Sequence, residues 1–288
     1  MINSIEEYLR QLREELEGCD PATIQDALSD SEEHLRMALH ADSDFESVIE
    51  KYGTPDVVAT AYREAEDRMP PSFAPPAIRR TDGRPFFSRF FGVFAETRVW
   101  AALFYFILSL ATGIFYFTWV VTGLSVSAGL LVLIVGLPIL TLFLLSVRGI
   151  AFIEGRLIEA LLGVRMPRRS RYAGVATGWI ARMKRIFADR TTWTSIIYMI
   201  AMLPLGVIYF SLFISLIAVS LELVATPIIE LIFDVPFVEL LDTDYDISVW
   251  FIPLMVIAGV ILLTLTMHLT KIVGSAHGRA AKALLVSE

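Results

Sequence analysis

An all-α fold is predicted: a small cytoplasmic helical bundle joined to a four-helix transmembrane domain built from two tandem hairpin repeats. Three features lead there: long runs without charge, an acidic N-terminal stretch with helical periodicity, and residues that recur at a constant spacing. The 288 residues are 55% apolar and 19% charged, with a mean hydropathy of +0.62. A soluble domain carries about 25% charge. Residues 99–147, 191–221 and 247–270 contain no Asp, Glu, Lys or Arg. About 20 apolar helical residues cross the hydrocarbon of a bilayer, and the first run is long enough for two crossings. Spans are therefore expected at about 99–121, 125–147, 192–215 and 248–270, with a tight uncharged turn at 122–124 and an extracytoplasmic acidic loop at 216–247.

Residues 1–68 predict the helical bundle. Asn3 with Glu6 reads as a capping box, and Ile2, Ile5, Leu9, Leu12 and Leu16 follow at helical spacing. Asp20-Pro21 suits an N-cap and first helical position. A short third helix carries Phe45, Val48, Ile49 and Tyr52 and stops at Gly53. Thr54-Pro55 then opens a fourth. Residues 69–97 read as a linker and interfacial segment, with five prolines by Pro85 and then Phe86, Phe87, Phe90, Phe91 and Phe94 beside Arg84 and Arg89. Residues 98–288 form the membrane domain. Met1–Leu16 has no apolar core of a signal peptide, so no cleaved leader is expected. The lone Cys19 excludes an intrachain disulfide and a cysteine metal cluster.

Trp100, Tyr105, Gly113, Tyr116 and Phe117 recur 93 residues later as Trp193, Tyr198, Gly206, Tyr209 and Phe210. Gly136, Gly155-Arg156 and Ala160-Leu161-Leu162 recur at an offset of 123 as Gly259, Gly278-Arg279 and Ala283-Leu284-Leu285. Two parallel hairpin copies follow, differing by an insertion of 30 residues between the third and fourth spans. Trp100, Tyr105, Gly113, Trp193, Tyr198 and Gly206 are the expected repeat-packing residues.

Charge divides by segment. Residues 1–68 hold 18 acids and 6 bases, whereas 79–98, 148–190 and 271–288 together hold 18 bases and 6 acids. The 222–246 loop has seven acids and no base. The positive-inside rule then places both termini in the cytoplasm. The basic rim would meet anionic lipid, or the acidic bundle would dock on it in a salt-sensitive way. The expected docking or partner residues are Glu32, Glu33, Tyr52, Gly53 and Pro55 on the bundle and Arg165, Arg168, Arg169, Arg171, Lys184 and Arg185 on the rim.

No catalytic residues, cofactor or metal are expected. The phosphate-loop, dinucleotide, nucleophile-elbow and zinc-helix motifs are all missing. Asp242, Asp244 and Asp246 imitate the start of a calcium loop, but Ile247 stands where glycine is needed and Pro253 where the bidentate Glu belongs. His268 and His277 read as ordinary polar side chains, and with no ionisable residue expected at mid-span an ion-coupled transporter is disfavoured.

Two family resemblances rest on specific stretches. Residues 1–66 resemble the HAAS-type domain, a helical signalling module associated with helix-turn-helix regulators. They match through Ile5-Glu6-Glu7-Tyr8-Leu9, Ser31-Glu32-Glu33-His34-Leu35 and the Tyr52-Gly53-Thr54-Pro55 turn. Residues 97–286 resemble the sensor membrane domain found ahead of histidine kinases in many bacteria, through Thr118-Trp119-Val120-Val121-Thr122-Gly123, Gly136-Leu137-Pro138 and Leu161-Leu162-Gly163-Val164-Arg165-Met166-Pro167. The resemblance implies non-catalytic relay of an envelope or membrane signal to a cytoplasmic partner, such as a transcriptional regulator. With no kinase domain after Glu288, the output would be by binding. The expected partners are the bilayer with its anionic lipids and a cytoplasmic regulator, without direct nucleic-acid binding; a homo-oligomer is compatible with this reading. The alternatives are an accessory subunit of a larger membrane complex and a small transporter.

Overall fold

The computed structural model describes residues 4–41, 45–68, 90–131, 136–168, 186–233, 238–240, 243–245 and 251–286. Four short helices come first: α1 (Ile5–Glu15), α2 (Pro21–Ala41), α3 (Phe45–Tyr52) and α4 (Pro55–Asp67). The α1 cap is Ser4, whose side chain accepts from the Glu7 N–H, and not Asn3 as expected. Ser4 and Glu7 have the same three-residue spacing as Asn3 and Glu6, so periodicity alone could not choose between them. Asp20 caps α2 by accepting from the Ala22 N–H at 2.8 Å.

The apolar faces of these helices close on Tyr8, Leu12, Leu16, Ala27, Leu35, Val48, Val58 and Ala59. Helix α1 packs on α2 and α4, and α2 on α3 and α4. Gly53 ends α3 at φ +109°, a conformation strained for any side chain. Its carbonyl accepts from the buried Tyr8 hydroxyl at 2.8 Å, tying the α3–α4 turn to α1.

Four helices are long and apolar enough to cross a membrane. They are α5 (Thr97–Leu130), α6 (Gly136–Leu162), α7 (Arg190–Phe233) and α8 (Ile252–Leu285). At 1.5 Å per residue the 34 residues of α5 and α8 measure about 51 Å, well beyond the roughly 30 Å hydrocarbon core. The outward side chains of these helices are apolar, among them Phe104, Leu142, Ile153, Leu254 and Ile272. In water such a surface would aggregate; in lipid it is the expected face.

Two expected loops fall elsewhere. Residues 122–124 lie inside α5, and the chain turns only after Leu130. Gly123 is not a turn residue: a Cβ there would sit 2.1 Å from the Phe143 ring, so the glycine makes room for α6. Helix α7 likewise runs through 216–233, with Pro204 and Pro227 inside it. The expected loop also contains a small antiparallel hairpin, β1 (Val238–Leu240) with β2 (Thr243–Tyr245), pairing Glu239 with Asp244.

Contacts divide the chain into two compact units. The first comprises Met1–Ile78, Val120–Tyr198 and Gly278–Glu288, and the second Arg79–Trp119 and Met199–His277. In the second unit α5 and α7 cross at very short range. A Cβ on Gly113 would lie 2.5 Å from the Met202 carbonyl oxygen, and one on Gly206 would lie 2.3 Å from that of Ser109.

Candidate functional site

Within the first unit the helical bundle meets the ends of two membrane helices. Lys282, in the last turn of α8, donates to both Asp20 carboxylate oxygens at 2.6 and 2.7 Å. Both side chains are largely enclosed, at 16% and 20% exposure, so water screens this pair less than a surface one. Six residues along α2, Asp26 accepts from the Arg168 backbone N–H at 2.8 Å. Asp20 thus has two tasks, capping α2 and holding α8.

The segment that carries Arg168 is positioned by Gly163. Its φ of +70° ends α6, and its N–H still donates to Glu159. Val164 then fills the space over Gly278, where a Cβ would lie 2.4 Å from Val164 Cγ2. Met166 is buried against Gly155. Arg165 lies between them, 8% exposed, and its Nη1 has no hydrogen-bond acceptor among the described residues.

A second feature lies between the helices. In the first unit the Tyr198 hydroxyl donates to Glu154 at 2.9 Å, and Glu154 is fully buried. In the second unit the Tyr105 hydroxyl lies 2.8 Å from His277 Nε2, and Tyr209 stands 3.3 Å from Nδ1. Tyr198 is Tyr105 displaced by 93 residues, and His277 is Glu154 displaced by 123. Each copy's first helix is therefore bonded to the second helix of the other copy.

Ion pairs follow the same rule. Arg148 pairs with Asp189 at 2.5 Å in the first unit and Lys271 with Glu96 at 2.6 Å in the second, again at offsets of 123 and 93. The glycine contacts of α5 and α7 repeat as well, since Met202 is Ser109 displaced by 93. The signal was present in the sequence: extending the two offsets from the aromatic residues to the charged ones pairs Glu96 with Asp189 and Arg148 with Lys271.

The expected site residues fall into three groups. Tyr105, Gly113, Tyr198 and Gly206 lie between helices, as described above. Trp100 and Trp193 are instead about half exposed, and each indole N–H donates at 3.0 Å to a carbonyl six residues earlier, Phe94 and Phe187. Both rings are amphipathic, and their outward position suits the membrane boundary.

On the bundle, Glu32 pairs with Arg36 along α2 at 2.8 Å, and Glu33 sits half-buried on the same helix. Tyr52 donates to Ser31 at 3.0 Å and stacks on His34, Gly53 holds the Tyr8 hydroxyl, and Pro55 is buried as the first residue of α4. These three organise the bundle interior. The residues that meet α8 and the post-α6 segment, Asp20 and Asp26, were not anticipated.

On the rim, Arg165 and Arg168 are placed as above, while Arg169, Arg171, Lys184 and Arg185 lie outside the described residues. So do the linker at 69–89 and its Phe86 and Phe87. The Phe90 carbonyl lies 3.1 Å from His268 Nε2, just ahead of a 3-10 turn at Gly92–Ala95.

Ionisation in the bundle follows burial. The Tyr62 phenol is pushed well above its ordinary range by burial and by its hydrogen bond to Asp30 at 2.8 Å. Burial also raises Tyr8, Tyr52 and the Cys19 thiol. Glu7 is held low by its hydrogen bonds from Arg10 and Gln11. Among the described residues no cluster of three His, Cys, Asp or Glu is disposed to hold a metal ion.

Comparison with known proteins adds two matches, in the order the sequence anticipated. The family model HAAS matches residues 7–61, and the family model described as "Putative sensor" matches residues 105–285. No curated protein and no solved structure matches the chain. Neither matched family is enzymatic, and both point to signalling. With four apolar helices, the chain is a multi-pass membrane protein with a contact surface for lipid. Because the second match spans well over half of its residues, the chain belongs to the Sensor family, and it carries a HAAS region ahead of the sensor domain.

Proposed function

We propose that this protein relays a membrane-derived signal to a cytoplasmic protein partner, a transcriptional regulator, through the release of its N-terminal helical bundle. The orientation is N-in and C-in, because the basic segments flank the spans on the side that carries the bundle. The observation that supports the relay is the contact between Asp20 of the HAAS region and Lys282 in the last turn of a sensor-domain helix. Any movement of that turn acts directly on the bundle. Signalling is then a shift between a held and a free bundle, biased by whatever acts on the membrane helices. Output is by binding and needs no chemistry.

The test is deletion of residues 1–68 from the full chain in its native membrane. The shortened protein should still insert, because all four apolar helices remain, and it should no longer co-purify with the cytoplasmic partner held by the full chain. Co-purification that is unchanged by the deletion would rule out the bundle as the relay.

A further inference from the structure

We propose that Arg165 is the centre of a binding site for an anionic phosphate group, supplied by a lipid headgroup or by free phosphate. The backbone around it is fixed. Gly163 turns the chain out of α6, Val164 is seated over Gly278 and Met166 against Gly155, so the intervening Arg165 has little freedom to move its Cα. The residue is more than nine-tenths buried and its Nη1 has no acceptor among the described residues. A guanidinium is charged at any physiological pH, and a buried charge without a counter-ion is strongly unfavourable.

The carboxylates of the 148–190 segment, and the two bundle carboxylates that meet Lys282 and Arg168, have other partners. The 148–190 segment has three acids: Glu154 accepts from Tyr198, Glu159 pairs with Arg156 and Asp189 with Arg148. From the bundle, Asp20 takes Lys282 and Asp26 takes the Arg168 N–H. A planar donor fork whose Nη1 has no acceptor among the described residues, three positions ahead of Arg168, has the chemistry that recognises phosphate oxygens. The position beside the end of a membrane helix makes an anionic lipid the natural source. Occupation would also reach the bundle, because Arg168, which bonds Asp26, is only three residues away.

The test adds three probes in turn to the full chain in neutral detergent: phosphatidylcholine, phosphatidylglycerol and inorganic phosphate. Thermal midpoint and retained lipid, the latter by native mass spectrometry, are read for the wild type, Arg165→Gln, Arg165→Lys and the exposed-charge control Arg190→Gln. Phosphatidylglycerol should be retained by the wild type and by Arg190→Gln. Arg165→Gln should bind it about tenfold more weakly, the size of one lost charge-assisted hydrogen bond. If inorganic phosphate alone raises the midpoint in an Arg165-dependent way, the source is free phosphate.

Equal binding of phosphatidylglycerol and of inorganic phosphate by the wild type and Arg165→Gln overturns the site. Should Arg165→Gln fail to fold, Arg165→Lys decides the matter, because it keeps the charge and loses the fork: unchanged affinity there overturns the site equally. The inference is independent of the relay, since lipid retention and partner capture are measured separately.

Discussion

Tyr62 shows how a single side chain links burial to pH. Its hydroxyl donates to Asp30 across the interface of α4 and α2, and burial with the adjacent carboxylate holds the phenol neutral beyond its usual range. In the unfolded chain the same phenol ionises near about pH 10. Folding therefore retains a proton that the unfolded state releases. The contribution of Tyr62 to stability is complete below about pH 10 and declines as pH rises towards its folded value. Thermal melts of the protein across that range should show a steepening loss of stability, and Tyr62→Phe should make the loss shallower. An identical pH profile for the variant would mean that the phenol is not protected. Tyr52 illustrates a different limit of reading residues singly. It stands in one of the stretches that carry the HAAS resemblance, and its contacts with Ser31 and His34 give it a structural task inside the bundle.

At the scale of elements, the glycines divide into those that turn the chain and those that admit a neighbour, and hydropathy does not distinguish them. Gly53 and Gly163 end helices at positive φ. Gly113, Gly123 and Gly206 lie inside helices and leave room for another helix. This is why the expected turn at 122–124 is missing: Thr122-Gly123 resembles a break locally, but the Phe143 ring occupies the space that a side chain would need. The distinction can be measured. Gly113→Ala and Gly206→Ala place a methyl group against backbone carbonyls that cannot move independently of their helices. Each should destabilise the protein by about 1–3 kcal/mol in detergent melts. Gly149→Ala, with nothing within 4 Å of its Cβ, should be neutral or stabilising by up to about 1 kcal/mol through helix propensity. Equal responses at the three positions would contradict the close crossing of α5 and α7. The exchanged pairs Tyr105 with His277 and Tyr198 with Glu154 belong to the same scale, since two offsets in the sequence become hydrogen bonds only once four helices are assembled.

For the whole molecule, the question is what holds the bundle to the membrane helices. Cys19 is the only cysteine, half-buried next to Asp20, and its thiol is raised by burial. It should label slowly with maleimide near neutral pH and report opening of the contact. Lys282→Glu should speed labelling about fivefold, corresponding to loss of an ion pair worth roughly 1 kcal/mol, and high salt should do the same to a smaller extent. Asp20→Asn, which keeps an acceptor for the Ala22 N–H and removes the charge, should speed labelling in the same way; labelling that ignores all three changes would show that the pair does not restrain the bundle. The sequence by itself determined the number of apolar helices, the acidic bundle ahead of them and the duplication, because these depend on composition and period, which belong to the chain. Only the tertiary structure decided where the long helices stop, which acids meet α8, and which helix of each copy bonds to the other. Those outcomes turn on whether a given neighbour fills the space beside a residue, and local sequence does not encode that neighbour.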